Sequence, residues 1–131
     1  MQFLLDTNII IHAHDGNGAV LDKLIEHDGA VITSTLCLAE LRRALYKRPD
    51  LAPARRRRLA PLLARIPSLP FDVAAVAAYE RVIEVCGFVR SRDFDRMIAA
   101  HALSIGAILV TDNSADFADI PGLALENWAI A

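Results

Sequence analysis

Six oxygen-bearing side chains, Asp6, Glu40, Asp95, Asp112, Asn113 and Asp116, carry most of the chemistry that this sequence could perform. Asp6 directly follows the apolar run Phe3-Leu4-Leu5. Asp112 and Asn113 follow a second such run, Ala107-Ile108-Leu109-Val110, and Asp116 lies a few residues on. Glu40 falls about two turns into a helical pattern that begins at Thr35, and Asp95 falls in the first turn of another. Ligands of an open parallel sheet bind outside the carboxyl ends of its strands, so strands of this kind would bring the acids to one rim. Clustered carboxylates repel and raise one another's pKa unless a cation neutralises them. Mg²⁺ is commonly held by one or two carboxylates with waters and phosphate oxygens. Such a cluster beside a basic flank suits metal-assisted attack of water on a phosphodiester. Each acid also has a plainer role open to it. Asp6 can end a strand, Glu40 can pair with Arg43 at helical spacing for ~0.3 kcal/mol, and Asp95 suits a helix N-terminus.

Other chemistries find less support. His12, His14, His27 and His101 show no spacing that marks a histidine-based site, and His101 reads as packing or as support for a neighbouring group. Cys37 and Cys86 lack metal-ligand spacing and an evident activating partner, so they read as small buried hydrophobes. A two-carboxylate glycosidase wants aromatic sugar platforms, which 6% aromatics and one Trp scarcely supply. A phosphoacceptor receiver or a dehalogenase-like hydrolase wants a second acid close after the first strand, where Thr7-Asn8 stands.

The elements that must position these residues follow from the apolar pattern. Phe3–Leu5, Ala30–Ile32 and Ala107–Val110 are continuous apolar runs, as in strands buried on both faces of a parallel sheet. Leu69-Pro70-Phe71 and Leu123-Ala124-Leu125 read as short edge strands, where proline is tolerated. Helical spacing predicts Val20–His27, Thr35–Lys47 with Ser34 as N-cap, Ala54–Arg65 disturbed at Pro61, and Asp72–Cys86 ended by Gly87. In the last of these Val76, Tyr79, Val82 and Ile83 form the expected buried stripe. Asp93 is expected to cap a helix from Phe94 to Ile105 that stops at Gly106. Strands alternating with helices give an α/β fold, a three-layer α/β/α sandwich with a mainly parallel central sheet.

The 131 residues fit one domain, 1–131, with no visible linker or repeat. At 54% hydrophobic and 23% charged the chain is not a disordered one. Its longest charge-free stretch, Met97 to Thr111, falls short of the ~18 residues that span a bilayer. The N-terminus lacks a basic leader, and the expected compartment is the cytoplasm, with both cysteines reduced. Net charge is −2, yet it is unevenly spread. Residues 41–70 carry nine basic side chains against Asp50 alone. This arm could grip an anionic polymer or an acidic partner, with Arg42, Arg43, Arg55 and Arg56 as candidate contacts; a merely solvated helix face is the plainer alternative.

Four short motifs then carry a resemblance. Leu5-Asp6-Thr7-Asn8 resembles the opening of PIN-domain proteins, Leu38-Ala39-Glu40-Leu41 their second acidic motif, and Asp95-Arg96-Met97-Ile98-Ala99-Ala100-His101-Ala102 their third. Val110-Thr111-Asp112-Asn113, Asp116-Phe117, Ile120-Pro121-Gly122-Leu123 and Glu126-Asn127-Trp128 resemble the tail of VapC toxins of VapBC toxin–antitoxin pairs. The resemblance spans essentially the whole chain. It implies a Mg²⁺- or Mn²⁺-dependent endoribonuclease that leaves 5′-phosphate and 3′-hydroxyl ends, is silenced by a VapB-like antitoxin and is usually a homodimer. It places metal and catalytic roles on Asp6, Glu40 and Asp95, with Asn113 and Asp116 completing the rim and Thr7, Asn8 and Asp112 supporting it. The family's fourth acid falls on the position of Asn113, with Asp116 shortly after, and Phe94 stands where many relatives have Asn. The alternative is a catalytically silent PIN-like module that only binds RNA or a protein; retention of the three main acids speaks against it.

Overall fold

The computed structural model describes residues 1–130. Five short strands, β1 (Phe3–Leu5), β2 (Val31–Ser34), β3 (Ser68–Leu69), β4 (Ile108–Val110) and β5 (Leu125–Glu126), form one sheet in the order β3-β2-β1-β4-β5, every neighbouring pair parallel. The helices are α1 (Thr7–His14), α2 (Gly18–Glu26), α3 (Thr35–Leu45), α4 (Ala52–Arg65), α5 (Val73–Cys86) and α6 (Asp93–Ile105). Successive residues of a strand face opposite ways, and the core divides accordingly. Leu4, Ile32 and Leu109 pack against Ala78 and Val82 of α5 and Ile98, Ala99 and Ala102 of α6. Phe3, Leu5, Val31 and Val110 pack against Ile9, Ile10, Val20, Leu41, Leu59 and Trp128. The result is a three-layer α/β/α sandwich with a parallel sheet. Among the described residues, no helix is long and apolar enough to cross a membrane.

Several boundaries and roles differ from expectation, each for a local reason. α1 has no counterpart in the predicted elements; the apolar run Ile9-Ile10-Ile11 is a helix because Asp6 caps it, its Oδ1 accepting the Thr7 N–H at 2.7 Å. The edge strands shift to Ser68–Leu69 and Leu125–Glu126, because pairing with the ends of β2 and β4 sets their register. α3 stops at Leu45, short of Lys47. α4 starts two residues early, with a proline in its first turn, and runs unbroken through Pro61. Pro61 is exposed, so solvent can serve the carbonyl that its missing N–H leaves free. On α5 the buried stripe is Ala75, Ala78 and Val82, while Val76 is half exposed, because close packing on α6 admits small side chains. Asp72, the expected first residue of that helix, instead caps it through the Ala75 N–H. Asp93 is not a cap: it is the first residue of α6, and its carboxylate accepts the Tyr79 hydroxyl. Ser34 does cap α3, through the Leu36 N–H at 3.1 Å, and Gly106 ends α6 in the left-handed region, at φ 66°, where glycine is at ease. Cys37 is fully buried and Cys86 partly so; burial pushes the Cys37 thiol up to about 12, so it stays an inert thiol.

Candidate active site

Strand order reverses at β1, which has β2 on one side and β4 on the other. A crevice at such a switch point is where open α/β sheets take their ligands. The register pairs Leu5 with Val110, so the next residues, Asp6 and Thr111, stand side by side at the carboxyl ends of adjacent strands. The Thr111 hydroxyl donates to Asp6 Oδ2 at 3.0 Å and accepts the Asn113 N–H at 3.1 Å. Asp6 is 8% exposed, and the Thr7 N–H and the Thr111 hydroxyl, both neutral, are the only hydrogen-bond donors to its carboxylate among the described residues. Its carboxyl is pushed up to about 6, chiefly by burial; the Thr7 and Thr111 bonds pull the other way, and the charges of Asp95 and Glu40 add to the rise.

Asp95, half-buried on α6, is raised as well, by burial first and then by the charges of Asp116 and Glu40, with Arg92 opposing. Glu40 projects from α3, where Arg43 meets it at 3.4 Å, the pairing expected from helical spacing. Asp116 accepts a short hydrogen bond from the Asn113 amide in the turn Ser114–Phe117. Asp6, Glu40, Asp95 and Asp116 therefore share one field. Asp112 is differently placed: its carboxylate meets His12 Nε2 at 2.9 Å and the Asn8 amide at 3.5 Å, linking the end of β4 to α1. Among the described residues, no three His, Cys, Asp or Glu side chains are gathered closely enough to form a protein cage for an ion.

The donor set still fits a hard divalent cation. It consists of carboxylate oxygens, it includes a buried acid that no cationic side chain neutralises, and Mg²⁺ keeps several waters rather than demanding a full protein cage. Thr111 was not among the predicted site residues. Its signal was register: a threonine at the strand end beside Asp6. Arg96 also went unremarked. It is 3% exposed, one position after Asp95, and holds Asp119 at 3.0 Å, tying α6 to the segment just beyond Asp116. His101 is buried, sharing a hydrogen bond with Ser34 at 2.8 Å and meeting the Phe71 ring edge-on, so it packs as expected. Of the basic arm, Arg42 and Arg43 ride on α3 and Arg55 and Arg56 on α4. Arg55 lines a groove with His14 and Asp15, and Arg56 donates to the Tyr46 hydroxyl at 3.2 Å.

Residues 3–123 match the family model of the PIN domain. The chain belongs to the PIN-domain family. Its relatives include the tRNA(fMet)-specific endonuclease VapC of Shigella flexneri, 33% identical over 98% of this chain and 99% of that one. Ribonuclease VapC2 of Rickettsia felis is 30% identical, with 98% of each chain covered. Among solved structures, VapBC2 of Rickettsia felis, bound to a promoter DNA fragment, superposes with a TM-score of 0.87 at 28% identity, over 98% of this chain and 99% of that one. The five-stranded parallel sheet and its flanking helices are thus those of a PIN domain of the VapC type.

Proposed function

We propose that this chain is a divalent-metal-dependent endoribonuclease that acts as the toxin of a type II toxin–antitoxin pair. The nuclease class follows from family membership, with VapC ribonucleases matching from end to end. The observation that carries the metal-dependent reading is Asp6: a carboxylate at the β1/β4 switch point, held by two neutral donors, raised chiefly by its burial and further by the charges of Asp95 and Glu40. A cation there would relieve that penalty on its ionised form, which supports the reading. Asp6 and Asp95 would hold Mg²⁺, or Mn²⁺, directly or through water, with Glu40 completing the charge. When bound, the ion would lower the pKa of its water and polarise the phosphoryl oxygen.

The chain's own residues do the rest. The Thr7 N–H and Thr111 hydroxyl fix both oxygens of Asp6. Glu40, which has an acceptor to spare beyond Arg43, orients the attacking water. Asn113 holds Asp116 toward the rim, so that Asp116 supplies the fourth charge and Asp112 braces the edge from behind. Thr7 and Asn8 support from the first turn of α1.

The whole chain, 1–131, acts as one domain in the cytoplasm, as a homodimer that a VapB-like antitoxin silences. The Rickettsia felis and Salmonella typhimurium relatives were crystallised as VapBC complexes on DNA, which supports such a partner. The names of the Shigella and Salmonella VapC enzymes make tRNA(fMet) the first substrate to try. The test is to induce the chain alone and sequence the RNA ends that accumulate, then repeat the cleavage with purified protein in Mg²⁺ and in EDTA. New 5′-phosphate ends that vanish in EDTA are expected. Cleavage that persists in chelator would overturn the metal mechanism, and no cleavage at all would leave a silent binding module.

A further inference from the structure

Beside Glu40 the surface dips into a cleft of about 120 Å³. Thr7, Asn8 and Ile11 of α1 form one wall; Glu40, Arg43 and Lys47 form the other. Glu40 and Arg43 lie three apart on one face of α3, and Lys47 continues the stripe four residues on, in the turn just past the helix end at Leu45. At 1.5 Å per residue the stripe runs about 10 Å, a length that about three stacked nucleotides cover at 3.4 Å each. It leads from the acidic rim into positive charge. Among the described residues, Lys47 makes no ion pair, and Arg43 has only Glu40, at 3.4 Å, with its own side chain 72% exposed. Such an exposed pair is worth about 0–1 kcal/mol, so Arg43 can leave it at little cost.

An RNA strand laid across the Asp6–Asp95 rim meets repulsion at every phosphate except one that a cation holds. Neighbouring phosphates need positive charge close by, and this stripe supplies it. On α4, Arg58 donates to the His14 carbonyl, Arg56 donates to Tyr46, and Arg55 lines a different groove, while the exposed Arg57 does not line this cleft. We propose that Arg43 and Lys47, with the Asn8 amide across the cleft, form a subsite for the RNA backbone phosphates next to the one being cleaved. The proposal rests on the ribonuclease reading and adds to it the track that the substrate follows.

The probe is a fluorescently labelled single-stranded RNA containing a cleavage site mapped with the parent chain, bound in Mg²⁺ to the Asp95→Asn chain so that it survives. Arg43→Gln and Lys47→Gln, added singly, should each weaken binding several-fold and reduce the salt slope by about 0.7. Lys47→Arg should keep the slope, and Arg57→Gln should leave binding as it was. An RNA with a neutral methylphosphonate beside the cleaved position should bind the Lys47→Gln and Lys47 proteins nearly alike, because the interacting pair is already broken. Unchanged slopes for both Gln variants, in a protein whose parent cleaves RNA, would overturn the subsite and leave the ribonuclease reading standing. So would weakened antitoxin inhibition with unchanged RNA binding, which would give the stripe to the protein partner. A parent chain that neither binds nor cleaves RNA would overturn both.

Discussion

The acidic rim and the basic arm are the two charged regions of this molecule, and they are built in opposite ways. Asp6 is buried, and its two oxygens are held by a backbone N–H and by a hydroxyl from the adjacent strand. Arg56, Arg57 and Arg58 are exposed on α4, and their hydrogen bonds go to Tyr46 and the His14 carbonyl or to no side chain at all. Charge that is desolvated and fixed alters pKa values and can hold an ion in place; charge on a solvated helix face is screened within about 8–10 Å at ordinary salt. The arm has more charges, but the rim has the electrostatic work.

The contrast breaks most visibly in catalysis. Asp6→Asn or Asp95→Asn should lower RNA cleavage by roughly a thousandfold, the order of loss on removing a central electrostatic group, with the circular dichroism spectrum unchanged. If either variant cleaves as the parent does, the rim is only structural.

Stability sharpens the same contrast with the opposite sign. The folded chain holds a proton on Asp6 up to about pH 6, whereas an ordinary Asp releases it near 3.8. The penalty for its ionisation is therefore absent below pH 3.8, grows between 3.8 and 6, and is complete above. In EDTA at pH 8, Asp6→Asn should be more stable than the parent, by about 1–3 kcal/mol at 1.36 kcal/mol per pKa unit. The gain should fade toward pH 4, followed by denaturant melts across pH. Adding Mg²⁺ should stabilise the parent and not the variant. A variant that is less stable at every pH would mean that the buried charge is already compensated.

The fourth position comes next. Asp116 shares the field of Asp95, while Asp112 is occupied by His12 and Asn8. Asp116→Asn should raise the Mg²⁺ concentration for half-maximal cleavage several-fold, Asn113→Asp should lower it, and Asp112→Asn should move it less than Asp116→Asn. The order is read from Mg²⁺ titrations of the three variants. The smallest effect belongs to the arm. Arg57→Gln should leave cleavage, stability and the salt dependence of RNA binding within error of the parent, whereas a drop in slope near 0.7 would show that α4 touches a phosphate.

The inner strands could be read from sequence because burial on both faces favours continuous apolar runs, as in Phe3-Leu4-Leu5, even though β2 ends in the buried Thr33 and Ser34. The edge strands could not be placed to the residue, since two-residue strands take their register from the neighbour that they join. α1 was obscured because a short run of isoleucines reads equally as strand or helix until its cap is known. Asp93 looks like a cap by position, yet Tyr79 claims its carboxylate from another helix. The gathering of Asp6, Glu40, Asp95 and Asp116 at one rim was legible, since strand ends and helix starts point there. Thr111, Arg96 and Lys47 were not, because each acquires its role from a partner or a wall far away in the chain.

Asp6 and Thr111 are 105 residues apart. At about 5–20 residues per second of synthesis, roughly 5–20 s separate the making of the first from the making of the second. During that interval a growing chain already carries Asp6 and later Glu40 and Asp95, but no β4 against which to set them. The crevice closes only once β4, Ile108–Val110, has been made. A chain still on the ribosome before that point lacks both this strand, which pairs with β1, and the Thr111 hydroxyl that fixes one oxygen of Asp6.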